Sequence, residues 1–227
     1  MASPLRLYLC LCISLTMTSL CAADTVTLEN KCSFPVWPGI FSWNTRGYDV
    51  PEGFKPLLNA SESYSMAFPH EWQGSIWGRF GCSFDSSERG SCLSGDCEGH
   101  LRCESAGPME PNISTPVTQV SLDGGPNGGL YSIELEKGYN LPMSIKTCES
   151  QECTPPLADI CPTNSQVKVN NEVVACKGEC DSYLSKCTPP EFDAAFRKAC
   201  PNVDPFGREV IYCPNPSNLT ITFCPPQ

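Results

Sequence analysis

The chain has 227 residues, enough for one large core, with 18% charged residues and a formal net charge of −10. Nucleic acid and anionic membrane are disfavoured as partners, because both repel an acidic excess of that size. Its 17 cysteines, 22 prolines and 17 glycines fit a compact, covalently stapled secreted domain.

At the N-terminus Arg6 precedes an apolar run over residues 7–20, and Cys21-Ala22-Ala23 offers the small residues that signal peptidase accepts. Residues 1–23 therefore read as a secretory signal peptide, and the exported chain is expected to begin near Asp24. The run is too short for a transmembrane helix, and no later stretch approaches the roughly 20 apolar residues that a span requires. Losing Arg6 leaves 14 basic against 25 acidic residues, and 14 of the cysteines remain. An even count in an oxidising compartment predicts seven disulfides. Zinc is set aside, since the chain has only His70 and His100 and no paired Cys-x-x-Cys knuckles. No cofactor is expected.

Short runs of period two predict strands along the chain: Val26 and Leu28; Tyr64, Met66 and Phe68; Tyr131, Ile133 and Leu135; Leu141, Met143 and Ile145; Leu219, Ile221 and Phe223. Residues 122–130, LDGGPNGGL, read as a loop joining two of them. The pattern predicts a mainly β protein built as an antiparallel sandwich. Thr188-Pro189-Pro190-Glu191 predicts a helix start, with threonine as cap and glutamate completing a capping box. Phe192, Phe196 and Ala199 would line one face. A second helical stretch is expected over residues 173–184, placing Cys176 and Cys180 one turn apart.

Residues 77–103, WGRFGCSFDSSERGSCLSGDCEGHLRC, hold four cysteines and too few aliphatics to bury themselves. Cys82 with Cys92 and Cys97 with Cys103 would close loops short enough for unstrained disulfides. Spacing leaves the pairing of the other cysteines open. Gly90-Ser91-Cys92, Ser94-Gly95-Asp96-Cys97, Gly99 and Cys103 resemble the signature of the thaumatin-like protein family. Ser94 departs from the usual threonine and Glu88 from a common glycine. The resemblance extends to Asn30-Lys31-Cys32, Val36-Trp37, residues 138–143 (GYNLPM), Val174-Ala175-Cys176, residues 195–201 (AFRKACP) and Thr222-Phe223-Cys224-Pro225.

That resemblance implies one domain over residues 24–227 in three parts. A core sandwich takes about 24–79, 111–155 and 201–227, a small stapled lobe about 80–110, and a partly helical, disulfide-rich lobe about 156–200. It implies the pairs Cys32–Cys224, Cys82–Cys92, Cys97–Cys103, Cys148–Cys213, Cys153–Cys200, Cys161–Cys176 and Cys180–Cys187. The usual eighth bridge is missing where the chain runs from Cys187 straight into Thr188-Pro189-Pro190.

Function in this family is usually placed in a cleft between the sandwich and the helical lobe, acidic in defence-type members and thought to bind β-1,3-glucan or a fungal surface component. Of the arginine, glutamate and three aspartates expected there, the matching positions here are Ser75, Gln119, Ser132 and Lys137, with Asp204 the nearest substitute for the last. At least four of the five are replaced, so the fold is expected and the acidic-cleft activity is not. A carboxylate could re-enter from Glu134 or Glu136, which alternate onto the face of Ser132. The plainer reading makes both solvent-facing members of an amphipathic strand. No Gly-x-Ser-x-Gly occurs, and the two histidines give no triad.

The expectation is a secreted, extracellular, monomeric defence or stress-response protein that binds a cell-wall polysaccharide, such as β-1,3-glucan, or a secreted protein partner without catalysis. The alternatives are a weak endo-β-1,3-glucanase and an inhibitor of a secreted hydrolase. Sequons at Asn59, Asn112 and Asn218 are candidate glycan acceptors.

Overall fold

A computed structural model describes residues 24–44, 50–68, 72–103, 119–125, 128–181, 186–214 and 218–226. The expected signal peptide, His70 and the Asn112 sequon lie outside them. Two five-stranded sheets face each other. The first runs in the order β10 (Ser150–Cys153), β9 (Met143–Lys146), β16 (Asn218–Phe223), β1 (Asp24–Asn30), β3 (Ser63–Phe68). The second runs β15 (Ile211–Cys213), β8 (Gly128–Glu134), β7 (Gln119–Gly125), β4 (Gln73–Arg79), β2 (Trp37–Ser42). Each sheet turns its apolar alternation inward, so Leu28, Met66, Ile145, Ile221 and Phe223 meet Ile40, Ile76, Leu122 and Ile133 in one core. Full burial of such a side chain contributes about 1.5–3 kcal/mol.

The alternating runs read from the sequence fall in strands β1, β3, β8, β9 and β16, except that Leu135 lies just past β8 and Leu141 just before β9. Most of the loop expected over residues 122–130 is strand, since the β7–β8 ladder continues to Gly125 opposite Gly128, while residues 126 and 127 lie outside the described residues. Among the described strands the β1–β16 pair alone is parallel. The Cys32–Cys224 disulfide, with a sequence separation of 192, fastens their ends together. On a chain-entropy account, closing a loop that long restrains the unfolded chain by about 5 kcal/mol. Six further disulfides join Cys82–Cys92, Cys97–Cys103, Cys148–Cys213, Cys153–Cys200, Cys161–Cys176 and Cys180–Cys187.

The small lobe hangs on Arg79, which is fully buried. Its guanidinium donates to the carbonyls of Trp37 (3.0 Å), His100 (2.8 Å), Leu101 (2.6 Å) and Pro38 (3.3 Å), tying β2 to the lobe. Asp96 accepts from the Cys92 N–H (3.2 Å) and the Gly99 N–H (2.9 Å), which explains the spacing of the signature. Gly99 has φ +74°, and a Cβ there would stand 2.8 Å from the Gly90 carbonyl oxygen.

Two sequence expectations fail in the helical lobe. Residues 173–184 contain no helix among their described residues: β12 (Glu172–Cys176) pairs with β11 (Gln166–Val169), and β13 (Glu179–Asp181) with β14 (Lys186–Thr188). Valines 173 and 174 favour an extended backbone, and the disulfides Cys161–Cys176 and Cys180–Cys187 tie these strands. Nor does Thr188 cap the helix. It ends β14, and α2 (Pro190–Ala199) starts from Pro189 without a side-chain cap. Pro190 pre-sets the first turn, while Glu191 and Asp193 at the N-terminal end and Arg197 and Lys198 at the C-terminal end complement the helix dipole. Phe192 and Phe196 are fully buried, their rings 4.3 Å apart at the centroids. A shorter helix, α1 (Leu157–Ile160), completes the lobe.

Tyr139 and Asn140 tie all three parts together. Tyr139 exchanges backbone hydrogen bonds with Cys176 (3.0 and 2.6 Å), donates its hydroxyl to the Pro155 carbonyl (2.7 Å) and packs on Phe196 at 5.0 Å. Asn140 Nδ2 donates to the Gly78 carbonyl (2.9 Å) and to Ser94 Oγ (3.2 Å) in the small lobe.

Candidate functional site

The register of the second sheet brings several expected cleft residues together. Ser75 lies across from Ser121, and Ser121 from Ser132. One rung along, Trp77 lies across from Gln119, and Gln119 from Glu134. Residues opposite one another or two apart share a face, so these positions lie on the face turned away from the main core. Ser75 is buried, and its Oγ has no hydrogen-bond partner among the described residues. Ser132 is also buried and donates its hydroxyl to Glu134 Oε1 at 3.4 Å. Glu134 is half-buried, contrary to a purely solvent-facing role, and its side chain rests on Gly207, whose Cβ position would stand 3.2 Å from Glu134 Cγ. Lys137 is exposed in the turn after β8.

Asp204 arrives from the loop after α2 and is 5% exposed. Arg208 Nε donates to its Oδ2 at 2.7 Å, and Arg197 Nη2 stands 3.2 Å from its Oδ1. Both guanidiniums lie over the Phe206 ring, at 5.2 Å for Arg197 and 4.7 Å for Arg208. Arg197 also meets Asp193 at 2.7 Å. Burial opposes ionisation of Asp204, but the hydrogen bond and charge of Arg208, with the charge of Arg197, outweigh it and hold the carboxyl below its ordinary range.

Glu136, expected to continue the strand on the face of Ser132, lies instead in the turn after β8. Burial pushes its carboxyl above the ordinary range; Glu134, Asp181 and Asp204 add to that shift, and Lys137 opposes it. Four carboxylates from β8 and its following turn, from β13 and from the 204–208 loop thus share one electrostatic neighbourhood with Lys137, Arg197 and Arg208. Beside it, a depression of about 410 Å³ opens among Glu179, Cys180, Asp181, Lys186 and Thr188, adjoining the Cys180 N–H that donates to the Glu136 carbonyl at 3.4 Å.

Asp181 was hidden in the sequence because it fell in a segment expected to be helical. Arg208 had a readable signal, standing four residues after Asp204. Arg197 had none, because only the fold brings α2 to Asp204; Phe206 stands two residues after Asp204, but only the fold lays Arg197 over its ring. Among the described residues, no three His, Cys, Asp or Glu side chains stand close enough to hold a metal ion.

Two facing five-stranded sheets, with disulfide-tied segments on either side and a cluster of charged side chains where β8, β13 and the 204–208 loop meet, define a disulfide-rich, mainly β class of protein. The chain belongs to the thaumatin family, whose model matches residues 30–225. A thaumatin-like protein of Arabidopsis thaliana is 36% identical over 236 residues, covering 93% of this chain and 94% of the relative. The pathogenesis-related thaumatin-like protein 3.5 of Cryptomeria japonica is 32% identical, covering 89% and 90%. A Prunus avium relative named glucan endo-1,3-beta-glucosidase is 29% identical, covering 95% and 97%. Among solved structures, the thaumatin-like xylanase inhibitor TLXI aligns with a TM-score of 0.51 at 25% identity, covering 88% of this chain and 99% of that one.

Proposed function

We propose that the protein is an exported defence or stress-response member of its family that holds a neutral cell-wall glycan in the cleft without cleaving it. The observation that carries this reading is the state of Asp204, whose Oδ2 accepts a hydrogen bond from Arg208 and whose Oδ1 stands at ion-pair distance from Arg197. A glycosidase needs one carboxyl that donates a proton and a second that attacks or activates water. Gln119 and Ser132 supply neither, and Asp204, kept ionised by its arginines, is a poor proton donor; Glu136, whose carboxyl is raised, is the group on which the glucanase alternative would rest. Seven disulfides suit the oxidising extracellular space.

Incubation with soluble laminarin, followed by product analysis, tests the reading. Complex formation with no sugar released is expected; steady release of oligosaccharides would establish the glucanase alternative, which the name of the Prunus avium relative favours. Inhibition of a secreted hydrolase is the other reading, favoured by the similarity to TLXI. Loss of xylanase turnover on adding the protein would support it.

A further inference from the structure

Two residues along from the Ser75 and Ser132 rung, the outer face of the second sheet carries a different set of side chains. Tyr212 lies across from Leu130, Leu130 from Asp123, and Asp123 from Gln73. Trp43 continues the row, since its N–H donates to the Gln73 carbonyl at 2.8 Å one residue beyond the Ser42 and Gly74 pair. The rung therefore crosses five strands, or about 19 Å at about 4.8 Å per strand spacing. Its strand neighbours Ile211, Cys213, Tyr131 and Leu122 are buried in the core, so the row faces outward. Gln73 Nε2 donates to Asp123 Oδ1 at 2.6 Å, fixing both side chains on that surface. Trp43 is 42% exposed, Leu130 38% and Tyr212 56%, three of the large apolar side chains this protein leaves in water.

We infer that this row is a binding site for a single neutral β-glucan chain, an inference that rests on the glycan-binding reading above and adds a site outside the cleft. Aromatic faces at the two ends can stack on the C–H faces of pyranose rings. Trp43 also carries an indole N–H that can donate to the sugar rim. Between them the hydrogen-bonded Gln73 and Asp123 pair offers an amide and a carboxylate to neighbouring hydroxyls, the few polar groups among apolar ones that orient a ligand. Asp123 is the one charged side chain of the row, which disfavours an anionic polymer. Sheet twist of about 20–25° per strand turns the two ends by roughly a right angle, so the row follows a twisted single chain better than a flat crystalline surface.

The test uses the exported, disulfide-intact protein and soluble laminarin. Trp43→Ala and Tyr212→Ala should each weaken binding about tenfold, as truncation of an aromatic anchor commonly does, while Tyr212→Phe retains most of it. Laminarin should also shield the native protein's tryptophan fluorescence from acrylamide and do so less in Trp43→Ala, because Trp72 and Trp77 are buried and Trp37 is half-buried. Native-like binding by both alanine variants, or unchanged quenching with laminarin bound, would overturn the row and leave the cleft reading standing. No laminarin binding by the native protein would remove both. If the alanine variants lost retention of a hydrolase but not of laminarin, the row would be a protein-docking surface and the inference would fall.

Discussion

Glu134 stands directly across from Gln119 in the β7–β8 pair. The carboxylate that the family pattern expects at position 119 is thus replaced by one on the neighbouring strand, about 5 Å away and on the same face. Restoring the expected residue would set two carboxylates opposite each other. Gln119→Glu should lower stability at pH 7 by about 0.2–1 kcal/mol, the range of a cross-strand pair, and the loss should shrink as salt screens the repulsion. Denaturant midpoints at low and high salt check this. The same substitution in a Glu134→Gln background should cost nothing.

Opposite pH dependences are expected at the two other cleft carboxyls. Asp204 releases its proton at lower pH folded than at its ordinary value of 3.8, so it adds stability above that value and loses it as pH falls further. Glu136 is raised above its ordinary value of 4.5, so its folded form favours the proton; its contribution is present at low pH and is lost as pH rises past that value. Thermal unfolding from pH 3 to 7 should show Asp204→Asn flattening the acid-side slope and Glu136→Gln gaining most near neutrality. Identical slopes in both variants would contradict the assignments.

Arg79 is buried, and its guanidinium donates to the carbonyls of Trp37, Pro38, His100 and Leu101 and to Cys97 Sγ. Arg79→Met should cost at least about 3 kcal/mol, because removing a buried charged donor strands its acceptors. Proteolysis should then cut first within the small lobe, before the sandwich opens.

Thr188→Ala should change stability by less than about 0.5 kcal/mol, since Thr188 is exposed and makes no cap hydrogen bond to α2. A denaturation midpoint lowered by a full cap's worth, about 1 kcal/mol, would restore the capping box that the sequence suggested.

Much of this molecule was legible because disulfide spacing and period-two alternation are local signals. The strands around Leu28, Met66, Ile133 and Ile221 could be read from alternation alone, and the signature around Asp96 has a local hydrogen-bond cause. What the sequence concealed is what tertiary contact decides. Thr188-Pro189-Pro190-Glu191 spells a capping box, yet pairing of Thr188 with Glu179 draws the threonine into a strand. The cleft was half legible: Glu134 follows from alternation, whereas the convergence of Asp181, Arg197 and Phe206 on it requires three separate elements to meet.

The most direct test of the account is binding to insoluble β-1,3-glucan at low and at physiological ionic strength, with released sugar measured in the same samples. In the cleft, Lys137, Arg197 and Arg208 offset the carboxylates, so charge contributes little to holding a neutral chain. Binding without sugar release is predicted, with an affinity that shifts by less than about twofold between the two salts, since screening acts on charge-driven association alone. The triple replacement Gln119→Glu, Ser132→Asp and Lys137→Asp should bind no more tightly. Tight native binding that collapses as salt is raised, or sugar released by the native protein, would contradict it.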